Sequence, residues 1–449
     1  MRIQKPREIA LRVLRRHTAG KQFVENLLDA HLADAPLAPK DRALCQELVC
    51  GIVRWRATLD WLIARKTTGR TQKAALQILL RLGLYQLFWL DRVPEHAAVN
   101  ETVELAKRSG FGPQAGFINA LLRGYLRERD VTERLLAELK TTQPHLGHSH
   151  PEWLVARWQR RWGAEKTAQL MEWNNTPPPT FARVNTLKAE PGKLLAQWRD
   201  ENVEYDFFRR DWCEENLIFE LKSHPPLAKL PSLRQGLFYI QDPSTLLAVR
   251  ELEPQPGEAV LDLCAAPGGK TTYIAQLMNN EGRVIAQDVS EERLALVRQN
   301  CVRLGVTCVE TKLLPGASQR AAGILPAEGS SASGTLAARF DRVLIDVPCS
   351  NTGVMRRRVD LRWRICPEEI ERLRYIQLDL LRQAASRVKR GGVLVYSTCS
   401  LEPEENGEVV KQFLSEHADF KLERERELLP FADGVDGAYV ARLFCSRDF

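Results

Sequence analysis

The stretch of residues 260–272 constrains the fold of this chain more than any other part of the sequence. Residues 260–263 are short and apolar between turn formers, as expected for a buried parallel strand. A proline and two glycines at 267–269 then predict a tight turn, because glycine accepts positive φ and has no Cβ. A helical pattern follows, so the stretch indicates a doubly wound sheet that offers backbone N–H groups to a nucleotide-like ligand. It is not a phosphate-binding P-loop, which requires a glycine where Cys264 stands.

Length and composition indicate a multidomain protein of the cytoplasm. The chain has 449 residues, which corresponds to about two or three domains of ordinary size. It has no run of about 18 uncharged apolar residues, and its basic N-terminal residues lead into a helix rather than a secretory segment. We therefore expect no membrane partner. Ten cysteines are present without a Cys-x-x-Cys pair, so the sequence predicts reduced thiols and no metal site.

Positive charge is concentrated near the start of the chain. The first 130 residues hold 22 Lys and Arg against 13 Asp and Glu, whereas the whole chain carries a net charge of +7. This surplus fits a polyanionic partner, most simply nucleic acid. It fits a solvated helical surface equally well.

Apolar residues at helical spacing predict an all-α domain over residues 1–140. Within it, the nearly apolar segment 75–90 predicts a central buried helix. Residues 131–150 predict a polar connector that ends in three closely spaced histidines. These histidines have no acidic or cysteine partner nearby, so they favour a linker over a metal site.

The rest of the chain predicts a linker with a small α+β module over residues 141–245 and a doubly wound α/β domain over residues 246–449. An Ala-, Gly- and Ser-rich segment at 315–338 predicts a flexible surface insertion in the second of these. The predicted strands are 180–185 and 236–241 in the module, then 283–287, 342–345, 393–396 and 438–444, the last in an antiparallel pair; the predicted helices are 291–304 and 367–388.

Asp288 directly follows the second strand of the α/β domain, 19 residues after Gly269. A carboxylate at this place binds ribose hydroxyls in nucleotide-binding βαβ units. The alternative is an aspartate that caps a helix. Together with the glycine turn, Asp288 predicts an adenosyl ligand, either a dinucleotide or S-adenosylmethionine (SAM).

Two cysteines follow apolar strands at the carboxyl edge of the predicted sheet. Cys349 lies in Asp346-Val347-Pro348-Cys349-Ser350, and Cys399 lies in Ser397-Thr398-Cys399-Ser400. Buried structural cysteine is the usual alternative. Both cysteines, however, stand at strand-to-loop exits among polar residues, so we expect them to face one crevice.

Methylation of cytosine at carbon 5 requires two groups of this kind. Carbon 5 is a poor nucleophile until a thiolate adds at carbon 6 and makes it enamine-like. After methyl transfer the proton on carbon 5 must leave and the thiolate must be expelled, which a second acid or base assists.

Three motifs in this order, at 261–271, 346–350 and 398–400, resemble the RNA (cytosine-5) methyltransferase family, also called the Nol/Nop2/Sun family. The helical N-terminal part resembles the NusB-like RNA-binding domain in its opening helix, its long apolar helix and its segment 99–106. The resemblance implies a NusB-like bundle, a small α+β module and a Rossmann-like SAM-dependent methyltransferase domain. It also implies small-subunit ribosomal RNA as substrate, and we expect a monomer.

The resemblance implies a role for each motif residue. Cys399 would be the nucleophile, Cys349 would assist product release, and Pro348 would line the base pocket. Lys270 would either lower the pKa of a thiol or hold the loop. The SAM-binding residues would be Cys264, Ala265, Ala266, Pro267, Gly268, Gly269, Lys270, Asp288 and Asp346.

The chain departs from the family pattern after the third strand, where an acidic residue near the adenine is usual. Glu310 is the candidate replacement, and the sequence leaves its role open. The arginines that follow Cys349 favour phosphate contacts over a solvated charge run; they are Arg356, Arg357, Arg358, Arg362 and Arg364.

Three other functions remain open. The same chemistry on another RNA, such as transfer RNA, fits the same motifs. A non-catalytic RNA-binding factor with a decayed methyltransferase core fits the altered third strand, although two retained cysteines oppose it. A dinucleotide oxidoreductase fits least well, since it needs no cysteine pair.

Overall fold

The computed structural model describes residues 5–20, 22–33, 35–70, 72–314 and 339–446. The chain forms two compact units: Met1–Pro177 with Met355–Arg364, and Pro178–Val354 with Ile365–Phe449. The insertion predicted at 315–338 lies outside the described residues.

The first unit is an all-α bundle, as the sequence predicts. Across the described residues, no helix combines the length and the apolar character needed to cross a membrane. Its helices are α1 (Pro6–Ala19), α2 (Val24–Leu32), α3 (Pro39–Arg54), α4 (Arg56–Lys66), α5 (Ala74–Trp89), α6 (Glu95–Arg108), α7 (Ala115–Arg127), α8 (Arg129–Thr142), α9 (Pro144–Gly147) and α10 (Glu152–Asn175), which is interrupted at Gly163.

Helix α5 is the centre of this bundle and confirms the central helix predicted at 75–90. It contacts α1, α3, α4, α6 and α7, and most of its side chains are buried. Gly83 allows the close packing of α5 on α7, because a Cβ at Gly83 would lie 2.6 Å from Leu122 Cδ1. A larger residue would separate these two helices.

The polar connector predicted at 131–150 is wrong. Residues 129–142 form α8, in which the buried Thr132 and Leu139 and the half-buried Leu135 and Leu136 lie on one face at helical spacing, a stripe that the connector prediction overlooked. His148 and His150 are buried rather than exposed on a linker. Burial lowers the pKa of His148 to about 4, and burial also lowers the pKa of His150, so both imidazoles are neutral at pH 7.

The second unit begins with a four-stranded antiparallel sheet of order β2-β3-β1-β4. Its strands are β1 (Thr180–Val184), β2 (Glu204–Phe207), β3 (Ile218–Ser223) and β4 (Phe238–Ile240), and its helices are α11 (Pro191–Asp200) and α12 (Pro231–Arg234). The next helix, α13 (Leu247–Leu252), packs on the larger sheet that follows. Trp198 of α11 is fully buried against Phe219 and Phe238. The small α+β module predicted before residue 245 is therefore present, with both predicted strands paired in its sheet.

A seven-stranded sheet of order β10-β11-β9-β8-β5-β6-β7 forms the rest of the second unit. Its strands are β5 (Ala259–Leu263), β6 (Arg283–Asp288), β7 (Val309–Leu313), β8 (Phe340–Asp346), β9 (Val388–Thr398), β10 (Phe420–Leu428) and β11 (Ala438–Cys445), and its helices are α14 (Gly269–Leu277), α15 (Glu291–Leu304), α16 (Pro367–Ala385), α17 (Gly407–Glu416) and α18 (Pro430–Asp433). Strands β5 to β9 are parallel, and β11 is antiparallel to both β9 and β10. The doubly wound domain and its terminal antiparallel pair are thus confirmed.

The strand order places the ligand crevice between β5 and β8. After β5 the chain passes through α14 to β6, which lies next to β5 on the side away from β8. After β8 it passes through α16 to β9, which lies next to β8 on the side away from β5. Ligands of open α/β sheets bind at such a switch point, outside the carboxyl ends of the strands. Both cysteine motifs and the glycine turn leave the sheet at this edge.

The arginine-rich segment Met355–Arg364 belongs to the first unit, and much of it is buried. Arg356 stacks on Trp173 with its guanidinium carbon 3.7 Å from the ring centroid. Trp363 donates from Nε1 to Val53 O at 2.7 Å. Arg362 is fully buried. Phosphate contact is therefore wrong for Arg356 and Arg362, because these side chains pack inside a helical unit.

Arg362 is held by oxygen atoms of one loop and one helix end. Its guanidinium donates to Ser149 O at 3.2 Å, to Asn174 O at 3.0 Å and to Asn175 Oδ1 at 2.8 Å. Burial lowers the pKa of Arg362 to about 9. The side chain remains charged at pH 7, so removing it would leave two buried acceptors and the half-buried Asn175 Oδ1 without this donor.

We expect Arg362→Leu to lower the free energy of unfolding by about 3 kcal/mol or more, since each buried unsatisfied group costs about 1–3 kcal/mol. Arg358→Leu is the matched control: Arg358 is exposed, and surface changes stay within about 0.5 kcal/mol. Urea denaturation followed by far-ultraviolet circular dichroism measures both variants. Equal stability of the two variants would contradict a structural role for Arg362.

Candidate active site

The loop after β5 is shaped by backbone conformations that few residues adopt. Cys264 has a φ of +63° and Gly268 a φ of +101°. A Cβ at Gly268 would lie 3.2 Å from Val297 Cα, so the loop packs directly on α15. The first turn of α14 begins at Gly269. Burial raises the pKa of Cys264 to about 12, so this thiol stays protonated.

Asp288, at the end of β6, fastens this loop to the neighbouring strand. Its Oδ2 accepts from Ala266 N at 3.2 Å, and its Oδ1 lies 3.2 Å from Arg293 Nη1. Arg293 also donates from Nη2 to Ala266 O at 2.9 Å. The carboxylate is almost fully buried at the carboxyl edge of the sheet, which is where the sequence placed it.

Asp262 is a site residue that the sequence reasoning missed. It lies within β5, is fully buried, and accepts from Thr271 Oγ1 through Oδ2 at 2.6 Å. Its other oxygen, Oδ1, has no hydrogen-bond partner, and neither has Oε1 of Gln287 on the adjacent strand. Two buried acceptors without partners at a switch point are the acceptors that a bound ligand would satisfy.

Burial raises the pKa of Asp262 to about 7, although the hydrogen bond from Thr271 and the charge of Lys270 oppose the shift. The only sequence signal for this residue was an acidic side chain inside an otherwise apolar strand. Such a position is ambiguous until neighbouring strands are known to cover it.

Lys270 and Asp346 form an ion pair across the crevice between β5 and β8. Lys270 Nζ lies 2.6 Å from Asp346 Oδ2, and Asp346 Oδ1 accepts from Ser397 Oγ at 2.7 Å. Burial lowers the pKa of Lys270, but the negative charges of Asp346, Cys399 and Asp262 outweigh it and the net shift is upward. The ammonium group therefore stays charged beside Asp346 and within the electrostatic reach of Cys399.

The two motif cysteines are brought into contact. Cys349 Sγ lies 3.3 Å from Cys399 Sγ, as expected for thiols that leave adjacent parallel strands, where Asp346 pairs with Ser397. Cys399 Sγ also donates to Asn351 Oδ1 at 3.1 Å, and Asn351 Nδ2 donates to Cys349 O at 2.6 Å. Asn351 was not anticipated from the sequence.

The environment of Cys349 disfavours its ionisation. The hydrogen bond to Cys399 raises the pKa of Cys349 well above its usual value, and burial and the charges of Cys399 and Glu405 raise it further. Cys349 therefore holds the proton when one of the two sulfur atoms is ionised. Cys399 is also the more exposed of the two.

Glu405 is a further residue that the sequence reasoning missed. It is fully buried and accepts hydrogen bonds from Ser350 and Ser400, the serines that follow the two cysteines. It follows Glu402 and Glu404 in an acidic turn. Nothing in the sequence separates it from these neighbours.

Glu310 does not lie at the ligand edge of β7. It pairs with Ile285 in mid-strand, whereas the strand ends at Leu313 opposite Asp288. Its carboxylate is bound to Arg283 at 2.5 Å and to Lys312 at 3.1 Å. Glu310 thus forms surface ion pairs away from the carboxyl edge of β7, and this placement gives no support to its role as a replacement cofactor contact.

The residues that the structure describes contain no group of three or more His, Cys, Asp or Glu side chains arranged to hold a metal ion. The titratable groups of the crevice instead form pairs. These pairs suit proton transfer and thiol chemistry.

We expect the stability of the ligand-free protein to reveal the protonation of Asp262. Because its pKa in the fold lies near 7, the stability that neutral Asp262 contributes is complete below about pH 4 and is lost as the pH rises through 7. Asp262→Asn keeps an oxygen for Thr271 but does not titrate. The free energy of unfolding of Asp262→Asn should rise relative to that of the unmodified protein between about pH 5 and 7, by up to about 1.4 kcal/mol per pH unit, and the difference should level off above about pH 7.

Urea denaturation at several pH values measures this difference. Asp211→Asn is the control, because Asp211 is exposed and its hydrogen bond to Arg426 lowers its pKa, so its difference should be flat over this range. A flat difference for Asp262→Asn would mean that Asp262 is ionised in the fold at neutral pH.

Comparison with known proteins identifies the family. Residues 249–444 match the family described as 16S rRNA methyltransferase RsmB/F, residues 4–127 match the NusB family, and residues 150–222 match the ferredoxin-like domain of RsmF/B-like methyltransferases. The fold agrees with the crystal structure of PH0851, at a TM-score of 0.74 and 24% identity over 98% of this chain and 100% of that chain.

Full-length relatives carry the same name in two bacteria. The chain is 34% identical to the probable ribosomal RNA small subunit methyltransferase B of Bacillus subtilis (strain 168), with 97% of this chain and 98% of the relative covered. It is 35% identical to ribosomal RNA small subunit methyltransferase B of Escherichia coli O1:K1 / APEC, again with 97% and 98% covered. The chain therefore belongs to the RsmB/F family of 16S rRNA methyltransferases and is an enzyme that transfers methyl groups.

Proposed function

We propose that this protein methylates carbon 5 of a cytosine in small-subunit ribosomal RNA, with SAM as methyl donor and a covalent Cys399–carbon 6 intermediate. The observation that carries this proposal is the contact of the Cys349 and Cys399 sulfur atoms, 3.3 Å apart, at the switch point of the sheet. Methyl transfer to an oxygen or an amine would have no use for two adjacent thiols. Addition to a pyrimidine ring uses both.

The residues at the β5 edge fit an adenosyl cofactor. The glycine turn brings the first turn of α14 to the crevice, Asp288 offers a carboxylate at the end of β6, and Asp262 Oδ1 and Gln287 Oε1 are buried acceptors without partners. The loop 264–270, with Asp346 on the facing strand, would hold SAM. The cofactor would supply an electrophilic methyl group there.

Cys399 is the nucleophile in this proposal. Its sulfur is more exposed than that of Cys349, and the Lys270 ammonium lies within its electrostatic reach. The thiolate forms a bond to carbon 6 of the cytosine, and the electron pair displaced onto the ring makes carbon 5 nucleophilic. Asp346 holds Lys270 in place at 2.6 Å and is itself fixed by Ser397.

Cys349 changes role when Cys399 is bound to the base. The hydrogen bond that the Cys349 thiol donates to Cys399 and the negative charge of an ionised Cys399 both raise the pKa of Cys349, and both are lost once the Cys399 sulfur is a thioether. Cys349 can then lose its proton to solvent and, as a thiolate, accept the proton of carbon 5. The bond between Cys399 and carbon 6 breaks, and its electron pair returns to the sulfur.

Ribosomal RNA as substrate is supported by the named relatives and by the charge of the first unit. Arg12, Arg15 and Arg16 are exposed on α1, where they are available to phosphate oxygens. The target cytosine must be unstacked to enter the crevice. A monomer acting in the cytoplasm stays our prediction.

One alternative is weakened, and a second stays open. A decayed methyltransferase core would not need to keep the Lys270–Asp346 pair and two thiols in contact. Transfer RNA as substrate uses the same crevice, and no feature of the described residues favours it over ribosomal RNA.

We expect bisulfite sequencing of ribosomal RNA to find one small-subunit cytosine that is protected in cells with this protein and converted in cells without it, because 5-methylcytosine resists bisulfite. Expression of the intact protein should restore the protection, and the Cys399→Ala variant should not. Protection that persists without the protein would contradict the ribosomal target, and loss of protection in transfer RNA would redirect the proposal to that substrate.

We expect Cys349→Ala to accumulate a covalent protein–RNA adduct in the presence of SAM, because the release step is lost while Cys399 still adds. Cys399→Ala should form no adduct. Cys308→Ala is the control, since Cys308 lies before β7 and outside the crevice, and it should behave like the unmodified enzyme. Denaturing gel electrophoresis with labelled RNA measures the adduct. Absence of an adduct in Cys349→Ala, with normal turnover in Cys399→Ala, would contradict the assigned roles.

A further inference from the structure

One buried carboxylate binds both loops that carry the reactive cysteines. Glu405 Oε2 accepts from Ser400 Oγ at 2.5 Å and also from Ser350 Oγ, and the two serine hydroxyls lie 3.0 Å apart. Its Oε1 accepts from Ser350 N at 2.8 Å and from Gln377 Nε2 at 2.9 Å. Ser350 directly follows Cys349, and Ser400 directly follows Cys399.

These hydrogen bonds join the loop after β8 to the loop after β9, and we call the group of Glu405, Ser350 and Ser400 the bracket. Strands β8 and β9 pair as far as Asp346 and Ser397, and the cysteines lie beyond that register. Thr352 adds two links to the second loop, through its hydroxyl to Ser400 Oγ at 3.3 Å and to Leu401 N at 2.8 Å. Together with the backbone bond that Gly353 N donates to Cys399 O at 3.0 Å, the bracket therefore fixes the separation of the loops beyond the end of the strand pairing.

The turn that carries Glu405 is itself fixed. Tyr396 donates from its hydroxyl to Glu405 O at 2.6 Å. Asn406 accepts from Thr398 Oγ1 at 2.6 Å and donates to Ser400 O at 2.9 Å. The backbone of the turn that carries Glu405 is thus fixed by hydrogen bonds. A movement of either cysteine loop would therefore break its bonds to the Glu405 carboxylate.

We propose that Glu405 is a positioning residue that sets the distance between the Cys349 and Cys399 sulfur atoms, and so couples adduct formation to adduct release. This inference rests on the function proposed above. Glu405 touches no reacting atom and acts through Ser350 and Ser400. Its charge strengthens the hydrogen bonds that it accepts, since charge-assisted bonds are about twice as strong as neutral ones.

A glutamine at this position would weaken the bracket without changing its size. Two of the groups around Glu405, Ser350 N and Gln377 Nε2, can only donate here, so a single amide oxygen must serve them. The amide NH₂ would then face the two serine hydroxyls, which now donate to Glu405. The loops would have to re-form these bonds in another geometry.

We expect Glu405→Gln to lower the turnover number for RNA methylation by about 10²-fold, since a misplacement of about 1 Å can have that effect, while the KM for RNA changes less than about twofold. The variant should also accumulate the covalent RNA adduct in the presence of SAM, as Cys349→Ala does, because Cys399 still adds but Cys349 is misplaced for release. Glu408→Gln is the control, since Glu408 is exposed on α17 nearby, and it should behave like the unmodified enzyme. Ser400→Ala removes one arm of the bracket and provides a second, milder variant with the same expected direction.

Single-turnover methylation and denaturing gels on the full chain, with Cys349→Ala in parallel, separate the outcomes. Adduct in both Cys349→Ala and Glu405→Gln supports the inference. Adduct in Cys349→Ala alone overturns it, whether Glu405→Gln turns over normally or simply loses activity, and leaves the proposed function standing. Adduct in neither variant overturns the proposed roles of the cysteines themselves. Should Glu405→Gln fail to fold, the same comparison is made with Ser400→Ala.

Discussion

The parallel pairing of β8 with β9 is the constraint on which the site depends. Asp346 lies opposite Ser397, so both strands end at the same level of the sheet. Two short loops that start level with each other can bring Cys349 and Cys399 into contact, whereas a shift of one residue would turn the side chains of one strand to the other face. The same pairing places Ser397 where it donates to Asp346, and Asp346 in turn holds Lys270.

Around this edge, the buried charges are arranged so that each has a partner or loses its charge. Asp346 is balanced by Lys270, and Asp288 by Arg293. Asp262 has no such cation in contact and responds by a raised pKa, because a buried carboxylate without a counter-ion is more stable when protonated. Burial likewise raises the pKa of Glu405, against the hydrogen bonds that it accepts. The crevice thus combines fixed charges with one carboxyl group, that of Asp262, whose pKa lies near neutral pH.

The sequence predicted what depends on local pattern and missed what depends on distant burial. Apolar runs between turn formers located the strands and their exits, and hence both cysteines, because a strand exit is decided by a few adjacent residues. Glu405 could not be distinguished from Glu402 and Glu404, since only the packed loops single it out. The arginines after Cys349 were misread for the same reason: Arg362 has the composition of a phosphate-binding side chain, but the helical unit encloses it.

The two cysteines have the same side chain, and their different roles follow from which of the two sulfur atoms is protonated. With 3.3 Å between the sulfur atoms, ionisation of one disfavours ionisation of the other, so the pair carries at most one thiolate. The hydrogen bond to Cys399, burial, and the charges of Cys399 and Glu405 raise the pKa of Cys349, so Cys349 is the sulfur that keeps its proton. When Cys399 is consumed by the base, the repulsion that protected the Cys349 proton ends. The electrostatic interaction between the two sulfur atoms therefore makes addition by Cys399 precede proton removal by Cys349. This order requires that the two loops hold the sulfur atoms at this distance.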